Sequence, residues 1–348
     1  MAKKPYRVAV GVDQRGDWHE KFANALAEKK EQGYPLTFSI INLESSDWMD
    51  KIVPFDLVMW QPEYMGPKSQ SFIKEKVYFI QNYLGKRVFP NFNTIWHFES
   101  KVAQSYFFKF AGIKTPNTFV SFDYHDALEK IANTRFPLVF KKSYGAASQN
   151  VRLVQKHQEA QHLIEQVFCQ QAWDEAKQRY PSWFVRLNKS IFKAWFWAKI
   201  WQKISHGEFY NVIYWQEFIE KNNADLRITV IGEKYAFGFW RNNRPGDFRA
   251  SGSGRLDYQR PIPEDALRYC IEINRKFGLD SMAYDLLFQE NEFLISEMSY
   301  GYLDKAIYNA PGYYVMEDGA MQFNQRHTWP EELWVEWAIQ TLERDDRL

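Results

Sequence analysis

Two short apolar stretches near the carboxyl-terminal end contain the acidic residues that decide how this sequence is interpreted. Residues 283–288 are Ala-Tyr-Asp-Leu-Leu-Phe, and residues 293–299 are Phe-Leu-Ile-Ser-Glu-Met-Ser. Apolar runs of this length on either side of a polar turn predict two adjacent antiparallel strands. Asp285 and Glu297 would then lie side by side on one face. Because neighbouring carboxylates repel each other unless a cation lies between them, the pair indicates an Mg²⁺ site beside nucleotide phosphates. Two exposed acids on an edge hairpin are the alternative.

The composition predicts a globular protein of more than one domain. The 348 residues are enough for two domains of roughly 150 residues each, and the 45% of hydrophobic residues excludes wholesale disorder. Lys and Arg number 44 and Asp and Glu 43, so no general surface for nucleic acid is expected. Cys169 and Cys270 are too few for a disulfide framework or a zinc site. The chain starts without a signal-peptide pattern and contains no run of about 20 apolar residues, so we expect a cytoplasmic protein.

Alternating strand and helix patterns predict an α/β protein with successive domains. The pattern of residues 1–90 predicts a small Rossmann-like domain with a parallel sheet. Its first strand is not followed by Gly-x-Gly-x-x-Gly, so we expect no dinucleotide there. The last segment should open with a capping box between Thr328 and Glu331. The remaining segments are a first lobe at 91–157, an insertion at 158–210, a second lobe at 211–327 and a C-terminal helix at 328–348.

The expected insertion is rich in tryptophan and in basic residues. Five of each type are interleaved along it, namely Trp173, Trp183, Trp195, Trp197 and Trp201 with Arg186, Lys189, Lys193, Lys199 and Lys203. On a helical projection the cations gather on one side, but apolar residues intrude among them. Three uses stay open: packing onto the body of the protein, docking a second copy as a homodimer, or lying at an anionic membrane surface. The scattered apolar positions favour packing or dimerisation.

A loop of small residues follows the predicted strand 138–142. Residues 143–148 are Ser-Tyr-Gly-Ala-Ala-Ser, and a second apolar run, Val-Arg-Leu-Val, follows at 151–154. Backbone N–H groups in such a hairpin loop can close over phosphates. A plain hairpin turn would produce the same pattern.

Taken in order, these stretches resemble the ATP-grasp superfamily, most closely its glutathione-synthetase and RimK-like carboxylate–amine ligases. The resemblance covers residues 85–150 and 211–300. It rests on the family's order and spacing of Trp215-Gln-Glu-Phe-Ile219, Asp225-Leu-Arg227-Ile-Thr-Val-Ile-Gly232, Gly246-Asp-Phe-Arg249, Asp285-Leu-Leu and Glu297-Met-Ser299. It implies a two-lobed ATP-grasp domain after the N-terminal domain, with ATP and Mg²⁺ as cofactors. It also implies formation of an amide or peptide bond, through an acyl phosphate, between an amine and a small-molecule or glycan-linked carboxylate.

The resemblance implies which residues hold the nucleotide. Lys101 and Lys141 correspond to the two phosphate-binding lysines of the family, although Lys101 could instead be part of a solvated helix N-terminus. Lys141 ends an apolar strand, where its ammonium would otherwise lack a partner. The flap over the phosphates would include Ser143, Gly145 and Ser148, and the segment against the adenine would be Gln216, Glu217, Phe218 and Ile219.

The resemblance also implies which residues perform the reaction. Asp225 and Arg227 match the family's Asp-x-Arg pattern, in which the acid accepts hydrogen bonds from the ribose or orients the site. A structural ion pair is the alternative for either residue. Arg249 corresponds to the arginine that contacts the phosphate and the acyl phosphate, and Arg241 is a candidate for the acceptor carboxylate. Together with Lys141, these two arginines are the expected catalytic residues.

Several positions depart from the family pattern. Ser299 stands where the third metal ligand, after Asp285 and Glu297, is usually Asn, and residues 300–303 replace a small-Pro-Gly sequence. Lys142 stands where Pro is common. Two other functions therefore stay open: an ATP-grasp kinase that stops at a phosphorylated product, and a non-catalytic nucleotide-binding module with a docking insertion.

Overall fold

The computed structural model describes residues 5–12, 17–62, 67–143, 151–168, 212–290 and 292–345. The chain divides into two compact units, the first made of Met1–Phe98 and Lys221–Leu348 and the second of Glu99–Glu220. The second boundary differs from the expected start of the second lobe at residue 211. The reason is that the strand at residues 213–217 pairs within the sheet of the second unit.

The amino-terminal part of the first unit contains a four-stranded parallel sheet. Its strands are β1 (Tyr6–Val12), β2 (Leu36–Asn42), β3 (Leu57–Met59) and β4 (Arg87–Phe89), in the order β2-β1-β3-β4. Its helices are α1 (Trp18–Glu31), α2 (Trp48–Ile52), α3 (Pro67–Asn82) and α4 (Phe92–Ile95). The central strands β1 and β3 are almost wholly buried, as expected for a parallel sheet covered on both faces.

The second unit is built on a four-stranded antiparallel sheet. It contains α5 (Lys101–Ala111), β5 (Thr118–Ser121), α6 (Tyr124–Ala132), β6 (Leu138–Lys141), β7 (Val151–Val154), α7 (His157–Val167) and β8 (Ile213–Glu217), with the strand order β5-β8-β6-β7. Leu163 and Ile164 of α7 and the following Phe168 belong to the same buried cluster as Trp215 of β8. Residues 158–168 are therefore part of this lobe rather than of an insertion. The tryptophans and basic residues of the expected insertion lie outside the described residues.

The carboxyl-terminal part of the first unit contains a larger antiparallel sheet. Its strands are β9 (Ala224–Ile231), β10 (Tyr235–Asn242), β11 (Leu256–Asp257), β12 (Ser281–Gln289), β13 (Glu292–Ser299), β14 (Tyr313–Glu317) and β15 (Ala320–Asn324). The order is β13-β12-β9-β10-β14-β15, and β11 pairs with β10. The helices are α8 (Glu264–Phe277), α9 (Asp304–Tyr308) and α10 (Pro330–Asp345).

Helix α8 covers one face of this larger sheet through a polar as well as an apolar contact. The Asn274 side chain donates to the carbonyls of Gly232 at 3.0 Å and Leu279 at 3.1 Å, and it accepts from the Tyr284 hydroxyl at 2.7 Å. The helix ends at Gly278, whose left-handed backbone favours glycine. Because Tyr284 faces this helix, the next residue on β12, Asp285, points to the opposite face of the sheet.

Helix α10 joins the two sheets of the first unit through one core. Its Trp334 stacks on Phe22 of α1 at 5.6 Å and meets Phe89 of β4 edge-on at 4.9 Å. Helix α10 begins with Pro330 at its first position, as expected. The capping box differs from the prediction by one residue, because the N–H of Trp329 donates to the Glu332 carboxylate at 3.1 Å. Glu331 is buried instead.

Candidate active site

Four charged side chains form a buried ion cluster on three neighbouring strands. Arg241 on β10 donates two hydrogen bonds to Asp225 on β9, Nε to Oδ1 at 2.7 Å and Nη2 to Oδ2 at 2.6 Å. Arg227 on β9 binds Asp285 on β12 in the same bidentate way, at 2.7 and 2.9 Å. Nη2 of Arg241 also lies 2.7 Å from Oδ2 of Asp285. Asp225 and Arg227 are thus each in an ion pair, the alternative considered for these residues, with Arg241 and Asp285 as their respective partners. Asp285 is also an expected metal ligand.

The sheet register explains why these side chains meet. Asp285 lies directly across from Arg227, and Arg241 directly across from Asp225. Residues opposite each other on antiparallel strands present side chains to the same face, with Cβ atoms about 4.5–5.5 Å apart. Tyr284, the residue before Asp285, bonds to α8. The ion cluster therefore lies on the sheet face away from that helix.

The electrostatics of the ion cluster keep Asp285 charged. Burial acts to raise the pKa of the Asp285 carboxyl, but the Arg227 and Arg241 guanidiniums outweigh it and hold the pKa well below its usual range. Burial likewise opposes the charge of Arg241, and the Asp285 and Asp225 carboxylates more than compensate, so its pKa is raised. At neutral pH, Asp285 is thus an anion and Arg241 a cation.

Glu297 and Ser299 lie beside Asp285 on the adjoining strand. Asp285 is opposite Glu297 in the β12–β13 register, and Ser299 follows two residues later on the same face. The register shifts after Asp285, which leaves Ser296 as an extra residue, and the Ser296 hydroxyl donates to the Asp285 carbonyl at 3.1 Å. The predicted antiparallel hairpin is confirmed. Asp285 is only 5% exposed, so the alternative of exposed edge acids is wrong for this residue.

The chemistry of these side chains fits Mg²⁺. Two carboxylates and one hydroxyl provide hard oxygen ligands, and Mg²⁺ in nucleotide enzymes is usually bound through one or two carboxylates, waters and substrate phosphates. The Ser299 hydroxyl donates to the Gly301 carbonyl at 2.8 Å, which leaves its lone pairs available. Within the described residues, no group of three or more His, Cys, Asp and Glu side chains is arranged to hold a metal. Phosphate oxygens would have to complete such a site.

Arg249 is placed differently from Arg241. It lies between β10 and β11, and its guanidinium bonds to Asp247 at 2.5 to 3.0 Å. Its side chain is 29% exposed, against 6% for Arg241. Arg241 and Arg227, rather than Arg249, are the arginines that contact Asp285 among the described residues. The sequence analysis did not identify Asp247 as the ion-pair partner of Arg249. Its position two residues before Arg249, in a Gly-Asp-x-Arg turn, is a signal that could have indicated this pair.

In the second unit, Lys141 is buried and held by a side-chain amide. Its Nζ donates to Oε1 of Gln216 at 2.6 Å and lies 6.0 Å from the ring centroid of Tyr214, the residue opposite it in the register. The Gln216 amide also donates to the Thr118 hydroxyl at 3.3 Å. The expectation that Lys141 would lack a partner is wrong. Neither Tyr214 nor Thr118 was identified from the sequence, because the pairing of β8 with both β5 and β6 is not visible there.

Lys101 is tied to the end of the same strand. It is the first residue of α5, which is capped by Ser100, whose hydroxyl accepts from the N–H of Ala103 at 3.2 Å. The backbone N–H of Lys101 donates to the carbonyl of Ser143 at 2.9 Å. The Lys101 side chain is buried, so the solvated helix N-terminus is wrong. The remaining flap residues Gly145 and Ser148 lie outside the described residues.

The segment expected against the adenine begins in β8. The Gln216 side-chain oxygen accepts a hydrogen bond from Lys141, and the N–H of Glu217 donates to the Asn117 carbonyl at 2.7 Å. Ile219 is buried and Phe218 half-buried. A contact of this segment with adenine stays a prediction.

A comparison with protein families specifies the class of this protein. A model of the RimK-like ATP-grasp domain matches residues 100–181 and 196–303, more than half of the chain. The chain belongs to the RimK-like ATP-grasp family. The unmatched residues 182–195 fall within the segment in which we expect an insertion.

The curated relatives of this chain are ligases. The α-aminoadipate–LysW ligase LysX of Saccharolobus solfataricus is 22% identical over 292 residues, which cover 81% of this chain and 88% of that protein. A probable α-L-glutamate ligase of Haemophilus influenzae is 24% identical over 190 residues, or 54% of this chain and 51% of that protein. The chain is accordingly an enzyme of the ATP-grasp ligase family.

Solved structures share the fold along nearly the whole chain. A RiPP-associated ATP-grasp ligase from Chryseobacterium gregarium, in complex with ADP and a leader and core peptide, superposes with a TM-score of 0.58 at 12% identity, covering 97% of each chain. D-alanine–D-alanine ligase from Bacillus anthracis with ATP gives 0.52 at 11% identity, covering 99% of this chain and 100% of that one. At such identities the likeness shows the fold alone. Among the described residues, no helix is both long enough and apolar enough to cross a bilayer.

Proposed function

We propose that this chain is an Mg²⁺- and ATP-dependent carboxylate–amine ligase that acts through an acyl phosphate. A carboxylate oxygen of the acid attacks the γ-phosphorus, and the bond from that phosphorus to the leaving ADP oxygen breaks. The amine then attacks the acyl carbon, phosphate leaves and the nitrogen loses a proton. The proposal rests on one observation above all, the Asp285 and Glu297 pair flanked by two arginines on a single sheet face.

In this proposal the chain's own residues provide positioning and charge. Asp285, Glu297 and Ser299 would hold Mg²⁺, which when bound neutralises charge on the transferring phosphoryl group. Arg227 and Arg241 have the forked geometry that binds a phosphate or a carboxylate through two hydrogen bonds. Such preoriented cations stabilise the charge that develops in the transition state.

The second unit has its own candidate phosphate-binding residues. Lys141, held by Gln216, would present a point charge to the α- and β-phosphates. Lys101 starts a capped helix whose backbone is bonded to Ser143 at the beginning of the proposed flap. Arg249 would also contact the phosphate after its guanidinium has left Asp247.

The names of the relatives support an amino-acid or peptide carboxylate as the acid. One relative ligates α-aminoadipate to LysW, another is a probable L-glutamate ligase, and a structural neighbour was solved with a leader and core peptide. A glycan-linked acid, a homodimer and contact with a membrane surface stay predictions, because they depend on the expected insertion outside the described residues.

The test of this function is ADP release in the presence of Mg-ATP and a panel of acids and amines. The panel contains α-aminoadipate, glutamate and short peptides with acidic side chains, each with and without an amine. Hydroxylamine serves as a general amine that converts an acyl phosphate into a hydroxamate. We expect ADP and hydroxamate in equal amounts with the correct acid. ADP with a stable phosphorylated acid and no hydroxamate would instead indicate a kinase.

A further inference from the structure

We propose that Arg227 and Arg241 form a latch on the Asp285 carboxylate that opens when nucleotide phosphates arrive, so that the protein binds Mg²⁺ poorly unless a nucleotide is also bound. The inference rests on the proposed function, because it adds a regulatory step to the same carboxylate. It concerns the order and interdependence of binding, which the residue assignments alone leave open.

Arg227 and Arg241 would compete with a metal ion for the oxygen atoms of Asp285. Three guanidinium contacts of 2.7, 2.7 and 2.9 Å occupy this carboxylate, two from Arg227 and one from Arg241. A carboxylate offers about four lone-pair sites. A metal ion would therefore have to displace or share with an arginine, while the two positive charges beside it repel it.

A nucleotide phosphate can replace the Asp285 carboxylate as the partner of an arginine. Guanidinium groups bind phosphate as readily as carboxylate, through two parallel hydrogen bonds. A nucleotide that takes over Arg227 frees oxygen atoms of Asp285. Its negative charge also reduces the repulsion between the arginines and the metal. One binding event thus removes both obstacles.

In this proposal Arg227, rather than Arg241, is the arginine that leaves Asp285. Arg241 is 6% exposed and is anchored by two hydrogen bonds to Asp225 in addition to its contact with Asp285. The Arg227 side chain is 19% exposed, and Asp285 is its carboxylate partner in the cluster. Release of Arg227 leaves the Arg241–Asp225 pair intact, whereas release of Arg241 would break two ion pairs.

The experiment compares the parent protein with Arg227→Met, which keeps a long side chain and removes the guanidinium group. Two affinities are measured by calorimetry on the full-length chain: Mg²⁺ alone without nucleotide, and ADP alone in the presence of EDTA. We expect Arg227→Met to bind Mg²⁺ alone at least tenfold more tightly than the parent and to bind ADP alone at least tenfold more weakly. Unchanged or weaker binding of Mg²⁺ alone would overturn the latch.

Two further variants keep the test decisive. Arg275→Met removes the same charge on α8, where Arg275 bonds to the Glu233 carbonyl, and it should leave both affinities as in the parent. Arg227→Lys keeps the positive charge without the guanidinium group. It should bind Mg²⁺ alone with an affinity between those of the parent and Arg227→Met. If Arg227→Met fails to fold, an Arg227→Lys variant that binds Mg²⁺ alone no more tightly than the parent overturns the latch.

A double variant separates failure of the latch from failure of the proposed metal site. In Arg227→Met with Glu297→Gln, the gained Mg²⁺ affinity should disappear. If the gain persists in the double variant, the metal is bound elsewhere and the metal site in the proposed function is wrong. If Glu297→Gln abolishes Mg²⁺-dependent ADP formation while Arg227→Met gains no affinity, only the latch is wrong.

Discussion

The ammonium of Lys141 and the side-chain amide of Gln216 are joined by a hydrogen bond of 2.6 Å, and both residues are buried. The two lie 75 positions apart and meet because β6 and β8 are neighbours in the sheet of the second unit. Gln216 thereby fixes the direction in which the ammonium points. In the proposed function, the Gln216 side chain would therefore position the Lys141 ammonium.

Lys141→Met should weaken ATP binding while preserving the length of the side chain. Loss of a charge-assisted phosphate contact is expected to cost about 1.5–3 kcal/mol, which calorimetry with Mg-ATP measures. Lys142→Met, at the exposed neighbouring position, is the matched control and should bind ATP within a factor of about two of the parent. ATP affinity that is equal in all three proteins would exclude Lys141 from the nucleotide site.

Glu297→Gln should abolish Mg²⁺-dependent ADP formation without a loss of stability, because it removes a ligand charge with little change in volume. Asp285→Asn should abolish it too, but it also leaves two buried guanidiniums short of a carboxylate. Breaking a buried ion pair from one side costs about 3–5 kcal/mol in the free energy of unfolding. Urea denaturation and a coupled ADP assay separate the two effects.

Glu292→Gln is the matched control for both acids, since Glu292 is exposed at the start of β13, the second strand of the same hairpin. It should change neither turnover nor stability. Turnover at the parent rate in both Asp285→Asn and Glu297→Gln would remove these residues from the proposed metal site.

Gly232→Ala should destabilise the first unit more than an ordinary glycine substitution. Gly232 has a φ of +60°, and a Cβ there would lie 2.3 Å from Cδ2 of Trp337. The left-handed backbone costs about 1–2 kcal/mol and the overpacking a further 1–3 kcal/mol. Gly319→Ala has a similar φ of +79° with open space around it, so it isolates the backbone cost. Equal destabilisation of the two variants, measured by thermal unfolding, would contradict the packing argument.

Glu331 should make stability fall as the pH rises. Burial, with the nearby Asp304 carboxylate as a smaller contribution, raises its pKa to about 8 from an ordinary 4.5. Lys21, at 3.7 Å, compensates only in part. Between pH 4.5 and 8 the folded state holds a proton that the unfolded state releases, so this group's contribution is present at pH 4 and is lost by about pH 8.

The corresponding variant is Glu331→Gln. Its free energy of unfolding relative to the parent should rise steadily from pH 5 to pH 8 in urea titrations. Glu343→Gln makes the same chemical change further along α10 and is the matched control variant. A constant difference between Glu331→Gln and the parent over this pH range would show that Glu331 is ionised in the folded protein.

Local signals predicted much of what the structure contains. The β12–β13 hairpin, the strand that Lys141 ends and the start of α10 near Pro330 follow from apolar periodicity and turn residues, which act over short stretches of chain. The family pattern provided the candidate site residues, whose roles stay predictions. These features depend on neighbours in sequence or on a motif of fixed spacing.

The remainder depends on sheet order, which periodicity does not encode. Because β9 lies between β10 and β12, Arg227 meets Asp285 and Arg241 meets Asp225. The partner of Lys141 depends in the same way on the return of the chain to β8. The limits of the insertion were misjudged at its start because α7 has an ordinary amphipathic pattern, and its apolar residues pack in the lobe core.

The most direct test of the ligase proposal follows oxygen from the acid substrate. If the carboxylate attacks the γ-phosphorus and phosphate later leaves the acyl carbon, an acid labelled with ¹⁸O in both carboxylate oxygens must transfer one ¹⁸O atom to each phosphate released. The measurement is mass spectrometry of the phosphate after turnover with Mg-ATP, labelled acid and amine, with Glu297→Gln as the inactive control. We predict one ¹⁸O per phosphate at the rate of ADP formation. Phosphate without ¹⁸O, released as fast as ADP, would contradict the account.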